Sequence, residues 1–207
     1  MNRTASFYNK GSNGFTIVEL LIVIVVIAIL ASITIVAFSG VQKRANATKA
    51  SSAVNAYAKI LKMYKQEKGV YPGALGVYGY NDICLGNISD FPAVAGTYNG
   101  GDCLYNANPN SAGGGDGHYR VAAWQTFMDA IKPYASSVSN SKLSDAQYAI
   151  ETWRGIRYYT WNNNKEAAMD WILVGDQRSL CGPGSGSIGS YDAFNNIEST
   201  FCHYYLP

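Results

Sequence analysis

The sequence predicts an α+β chain in which one long N-terminal helix, with a membrane half and an amphipathic half, packs on a small antiparallel sheet with disulfide-closed loops. Three observations carry this. Leu20 to Gln42 holds no charged residue. Between Ala47 and Tyr64 the apolar residues recur at spacings of three and four. Beyond Pro72 the chain turns Gly-, Asn- and Tyr-rich, with aromatic and β-branched runs and four cysteines.

The apolar segment comes first. Residues 15–38 number 24, and at about 1.5 Å each they make a helix of about 36 Å, enough to cross a hydrocarbon core of ~30 Å. Arg3 and Lys10 favour a cytoplasmic leader, whereas Lys43, Arg44 and Lys49 favour the opposite orientation, so charge alone leaves orientation open. The cysteines and the loop-rich composition point to an exported C-terminal part. Beside a simple uncleaved membrane anchor, which explains the length but neither Gly14-Phe15 nor Glu19, the competing reading is an ordinary signal peptide cut at Gly40 after Ala37-Phe38-Ser39. Its apolar region would be too long, and Glu19 would sit inside it.

A carboxylate in an apolar span costs about 2.5–3.5 kcal/mol on insertion scales, so Glu19 calls for a partner and a task. Its setting is Gly14-Phe15-Thr16-Ile17-Val18-Glu19, after a short polar leader that contains Arg3 and Lys10 and no acid. This arrangement resembles the class III signal of type IV pilins and type II secretion pseudopilins. The resemblance implies that a prepilin peptidase cuts between Gly14 and Phe15, that Phe15 is N-methylated, and that Glu19 pairs with the Phe15 ammonium of a neighbouring subunit during assembly. The implied organisation is a leader at 1–14, a transmembrane and filament-core helix at 15–38, an amphipathic continuation at 39–68 and a globular head at 69–207. Many family members carry a proline late in this helix; here there is none before Pro72. Ser32 to Val36, followed by Gly40, is the expected weak stretch instead.

The helix continues beyond the membrane. Ala47, Ala50, Val54, Tyr57, Leu61 and Tyr64 share one face. Gly69 and Pro72 end it. Residues 15–68 would give a rod of roughly 80 Å. Tyr64 with Gly69-Val70-Tyr71-Pro72 also resembles the helix-ending motif of pilins and pseudopilins.

Charge is uneven along the chain. Residues 43–68 hold seven basic residues against Glu67, and residues 69–207 hold seven basic against twelve acidic. A basic stalk carries an acidic head, which reads as a solvated helix face, as head-to-stalk attraction, or least readily as nucleic-acid contact.

In the head, a helix is expected over about 121–131, stopped by Pro133, and a turn or two within 145–152. Ile156 to Trp161 and Trp171 to Val174, on either side of Asn162-Asn163-Asn164, read as a hairpin or neighbouring strands. Four cysteines allow three pairings. Cys84 with Cys103 and Cys181 with Cys202 is favoured, because each pair closes a Gly-rich loop of about twenty residues, where the chain-entropy model gives about 3 kcal/mol.

No motif argues for catalysis. Gly184-Ser185-Gly186-Ser187-Ile188-Gly189 fits G-x-G-x-x-G, but no buried strand precedes it and no helix follows, so a flexible loop is expected. Zinc lacks C-x-x-C spacing. Gly113 to Gly117 with Asp102 matches no calcium loop, although some related pseudopilins bind calcium in this part of the chain. His118 and His203 have no nucleophile beside them and read as surface residues. Asn46-Ala47-Thr48 and Asn87-Ile88-Ser89 fit the glycosylation sequon. The aromatic clusters at Tyr158, Tyr159, Trp161 and Trp171 and at Tyr204 and Tyr205 read as strand packing, with adhesive contact as the alternative.

The expectation is a structural protein, not an enzyme, without metal or cofactor. The resemblance implies a subunit of a type IV pilus-like filament, held in the cytoplasmic membrane before assembly and extracellular afterwards. Its partners would be copies of itself or related pilins, the prepilin peptidase, the membrane and a surface ligand; nucleic acid is not expected. A secretion or DNA-uptake pseudopilin is the alternative within the family, and a membrane-anchored adhesive or sugar-binding module the alternative outside it.

Overall fold

The computed structural model describes residues 14–73, 81–96, 98–106, 119–135, 140–143, 145–148, 151–175, 177–182, 186–192 and 197–207. The leader up to Asn13, the Gly113 to Gly117 stretch, His118, Gly184 and Ser185 lie outside them. The chain divides into two compact units, one ending at Val41 and the other running from Gln42 to Pro207. Helix α1, Ile17–Lys68, contributes to both.

In the first unit, α1 is long and apolar enough to cross a membrane. Its large side chains, from Ile17 to Ile35, stand exposed. The expected weak stretch stays helical. Ser32 donates its hydroxyl to the Ala28 carbonyl at 2.7 Å and Thr34 to that of Ala31 at 2.9 Å, so neither polar group is left unmatched in the apolar helix.

In the second unit, α1 buries Ala47, Ala50, Ala53, Val54, Tyr57, Ala58, Ile60 and Leu61, the expected face widened by flanking positions. The buried face of α1 runs from alanines at one end to larger side chains, Tyr57, Ile60 and Leu61, at the other. The stop follows from Gly69, whose φ of 79° is left-handed and whose N–H bonds the Lys65 carbonyl at 2.8 Å. The chain is then tied across to the sheet, the Tyr71 N–H donating to the Asn164 carbonyl at 2.8 Å.

Two antiparallel sheets follow where one was expected. The strands are β1 (Asp82–Cys84), β2 (Asp102–Asn106), β3 (Tyr119–Ala122), β4 (Ala146–Tyr148), β5 (Glu151–Trp153), β6 (Arg157–Trp161), β7 (Glu166–Val174), β8 (Gly186–Asp192) and β9 (Ile197–Leu206). The larger sheet runs β1-β6-β7-β9-β8 and the smaller β3-β2-β5-β4. A second helix, α2 (Gln125–Ile131), buries Phe127, Met128 and Ile131. One core forms from α1, α2 and the inner face of the large sheet through Tyr158, Met169, Trp171 and Leu173. Another unites Cys84, Phe91, Cys103, Leu104, Val121, Trp153 and Ile172. The long helix, small antiparallel sheets and disulfides fit an α+β, pilin-like fold.

Four expectations need correction. The helix over 121–131 starts only at Gln125, because Tyr119–Ala122 pairs with β2 and Trp124 is extended. Residues 145–152 supply β4 and the start of β5 instead of a helical turn, since Ala146–Tyr148 pairs with Glu151–Trp153. Gly186 to Gly189, read as loop, lies in β8, where a complete ladder to β9 overrides the weak strand propensity of Gly and Ser. The strand read from Trp171 begins at Glu166, because Ala167 and Ala168 pair on both sides with β6 and β9. The hairpin itself is present, with Asn162, Asn163 and Asn164 turning at φ 51°, 53° and 61°, a region Asn tolerates better than most residues.

Candidate functional site

The start of α1 is built by Thr16. Its carbonyl accepts the first helical bond, from the Leu20 N–H at 3.2 Å, which makes Thr16 the cap residue. Thr16-Ile17-Val18-Glu19 then closes a capping box. The Glu19 Oε2 accepts the Thr16 backbone N–H at 2.8 Å and the Thr16 hydroxyl at 2.7 Å, while the Glu19 N–H donates to the Thr16 Oγ1 at 3.2 Å. The carboxylate therefore sits against the positive end of the helix dipole, where anions are favoured. Sequence reasoning singled out Glu19 and missed its local partner, although the T-x-x-E spacing was there to read.

Gly14 and Phe15 precede the cap. A side chain at Gly14 would meet nothing within 4 Å. Phe15 is 81% exposed. Gly14, Phe15 and Glu19, the residues expected to serve cleavage, methylation and assembly, thus lie close together on an exposed helix start.

In the head, Cys84 is bonded to Cys103 and Cys181 to Cys202. The first bridge joins β1 of the large sheet to β2 of the small one. The second ties the segment before β8 to the middle of β9.

Neither the calcium nor the zinc alternative gains a site among the described residues. Asp102 is buried, and its Oδ2 accepts the Asn99 N–H at 2.8 Å. No group of three or more His, Cys, Asp or Glu residues stands together among the described residues. Of the sequons, Asn87 is exposed and Asn46 half-buried on α1.

His203 departs from the surface position expected of it, with a side chain only 13% exposed. Its Nδ1 contacts the Asp170 carboxylate, whose other oxygen takes the Arg157 guanidinium at 3.0 Å. Arg157 in turn reaches Asp82 at 4.0 Å. Register explains the row, since Arg157, Asp170 and His203 are direct cross-strand partners on β6, β7 and β9. The next row carries Tyr159, Ala168 and Tyr205. Burial and the nearby Asp170 carboxylate push the Tyr159 hydroxyl up to about 12. None of this was legible from the sequence, where residues 157, 170 and 203 have no visible relation.

Comparison with known proteins bears on the helix start. Residues 9–35 match the family described as the prokaryotic N-terminal methylation motif. The chain is similar to the type IV wide pilus major component PilA4 of Thermus thermophilus, at 40% identity over 62 residues. That similarity spans 30% of this chain and 47% of the relative, so the chain covers about half the length of the curated protein it matches. No solved structure matches it significantly. The chain thus carries the prokaryotic N-terminal methylation motif at the start of a long apolar helix, and over part of its length it is similar to a type IV pilin.

Proposed function

We propose that this chain is a structural subunit of a type IV pilus-like filament. A prepilin peptidase cuts between Gly14 and Phe15 and methylates the new Phe15 amine. Residues 15–38 hold the subunit in the cytoplasmic membrane, residues 39–68 carry the helix into the head, and the head occupies 69–207. On assembly the helix leaves the lipid for a filament core built of its copies. The observation that carries this reading is Glu19 held at the start of an apolar helix inside a methylation motif.

The physics of Glu19 is that of a register check. In the membrane pool its carboxylate is held, among the described residues, by Thr16, and a charge in lipid without an opposite charge is costly. A neighbour whose Phe15 ammonium arrives beside it completes the pair, and a neighbour one register out does not. Removing one side of such a pair typically costs about 3–5 kcal/mol, or two to four powers of ten per contact.

Glu19→Gln tests this directly. The amide variant should insert, be cut after Gly14 and accumulate in the membrane, while the sheared filament fraction collapses. A normal filament yield from this variant would overturn the reading. So would an N-terminal sequence of the mature wild-type protein that begins anywhere but Phe15.

A further inference from the structure

The outer face of the large sheet divides into two halves. At one end Ile172 packs in the second core with Trp153, and Phe201 packs against that core, so the small sheet covers it. At the other end Tyr159 and Trp161 of β6 and Tyr205 of β9 point outward with no described element above them. Tyr205 is 63% exposed, although it lies within a strand paired to β7. Tyr159 and Trp161 are half-exposed.

These rings form one continuous surface. Trp161 lies 5.6 Å from Tyr159 and 6.2 Å from Tyr205, and His203 meets Tyr205 at 4.0 Å. Ala168, the cross-strand partner of both Tyr159 and Tyr205, carries only a methyl group between them. Their support is rigid. The Arg157 guanidinium lies 4.8 Å from the Tyr159 ring centre, and Asp170 fixes both Arg157 and His203 from below. Little side-chain freedom remains to be lost when a partner docks on them.

The rim is polar. Asn162 donates to the Glu166 carboxylate at 2.8 Å, and Glu166 is the cross-strand partner of Trp161. Asn163 is exposed at the hairpin tip with a φ of 53°. Three successive non-glycine residues in the left-handed region hold this amide-rich edge beside Trp161, and backbone of that kind concentrates at ligand contacts.

Charge decides what such a face fits. Arg157 and Lys165 are set against Asp82, Asp170 and Glu166, so the region is close to balanced with a slight acidic excess. A phosphate backbone, a sulfated polymer or an acidic lipid surface finds no attraction here. An uncharged ligand with apolar faces and hydroxyl edges does: its C–H face can lie on the rings while its hydroxyls meet the Asn and Glu rim.

We propose that Tyr159, Trp161 and Tyr205, rimmed by Asn162, Asn163 and Glu166, form a binding face for neutral pyranose glycans. The inference is independent of filament assembly, because it concerns the head of a single chain.

The test is calorimetric titration of the full-length chain in detergent micelles with chitohexaose, cellohexaose and maltohexaose, and with dextran sulfate as the anionic probe. At least one neutral hexasaccharide should give a saturable heat and dextran sulfate none. Tyr205→Ala and Trp161→Ala should each weaken binding roughly tenfold, the loss expected for one stacking ring. Trp161→Phe should recover part of it, and Lys59→Ala, on the exposed side of α1, should bind as wild type. Thermal melts of the variants separate lost contact from lost fold, and Tyr205, being mostly exposed, is the variant least able to disturb packing. No heat from any of the three sugars overturns the proposal, as does unchanged affinity in folded Tyr205→Ala and Trp161→Ala, or a preference for dextran sulfate.

Discussion

Thr16 holds Glu19 from within the same chain, its N–H and its hydroxyl both donating to one carboxylate oxygen at 2.8 and 2.7 Å. The residue expected to wait for a neighbour's ammonium is thus oriented before any neighbour arrives. One oxygen takes both Thr16 bonds, which leaves the other for an incoming donor. Capping and assembly are therefore compatible uses of one side chain.

Thr16→Val separates the two uses. Valine keeps the backbone N–H and the branched shape but lacks the hydroxyl, and losing a cap of this kind costs about 1 kcal/mol. Filament yield, measured against the membrane pool, should fall about fivefold, far less than for Glu19→Gln. Thr16→Ser should restore it. Equal yields from the Val and Ser forms would show that the hydroxyl does not help to orient Glu19.

Asp170 is the charge on which the outer row of the large sheet depends. It is 1% exposed and engages both Arg157 and His203. Asp170→Leu takes from the guanidinium its 3.0 Å carboxylate and leaves Asp82 of the adjoining row at 4.0 Å. A loss of about 3 kcal/mol is expected, or roughly 6–12 °C in melting temperature for a domain of this size. Arg157→Leu alone should also destabilise. The double replacement should cost less than the sum of the two, by about 0.5–3 kcal/mol, because residues in one charge network couple. Strict additivity in thermal melts would mean that the row is not a network.

What could be read from the sequence was local. Gly69 and Pro72 end a helix by their own backbone preferences, and the spacing from Ala47 to Tyr64 marks a face on whatever the helix meets. Asn162 to Asn164 turns a hairpin because asparagine tolerates the left-handed region. What could not be read depends on distant partners. Gly186 to Gly189 has poor strand propensity and is a strand through its ladder to β9. Ala146 to Tyr148 looks helical and pairs with β5. His203 finds Asp170 only because the register of β7 against β9 places them opposite. The Thr16 cap is a different case: its signal, Thr16-Ile17-Val18-Glu19 ahead of an apolar run, is local and complete.

Gly155 is a packing constraint invisible in the sequence. A β-carbon there would stand 2.7 Å from the Cys103 Cβ and 2.8 Å from the Phe91 ring. Both neighbours are fully buried, and Cys103 is pinned by its bond to Cys84. Neither can move aside, so Gly155→Ala should cost about 1–3 kcal/mol as overpacking. Gly100→Ala, where a β-carbon meets nothing within 4 Å, should stay within about 0.5 kcal/mol of wild type. Similar melting temperatures for the two variants would refute the tight approach of β2 to this turn.

Alkaline titration tests the tyrosine core. Burial holds the Tyr57, Tyr98 and Tyr158 hydroxyls well above the ordinary tyrosine value, with the Asp90, Asp145 and Tyr71 charges respectively adding to the effect. The Tyr158 hydroxyl also donates to the Pro72 carbonyl at 2.9 Å, a bond that only the protonated form can make. In the unfolded chain all three ionise near pH 10, whereas in the folded chain they keep their protons. Above that pH the unfolded state binds fewer protons than the native state, so stability is intact below about pH 10 and falls as pH rises further. Each tyrosine contributes up to about 1.4 kcal/mol per pH unit, and the three together roughly 4. Tyrosinate absorbance should therefore rise in two stages, the exposed rings first and the buried ones in a steep step that coincides with loss of circular dichroism. Replacing Tyr158 with Phe should remove about a third of the slope. A single smooth titration near pH 10 with the fold retained would mean that these hydroxyls reach water in the native state, and that the core around α1 is looser than its packing implies.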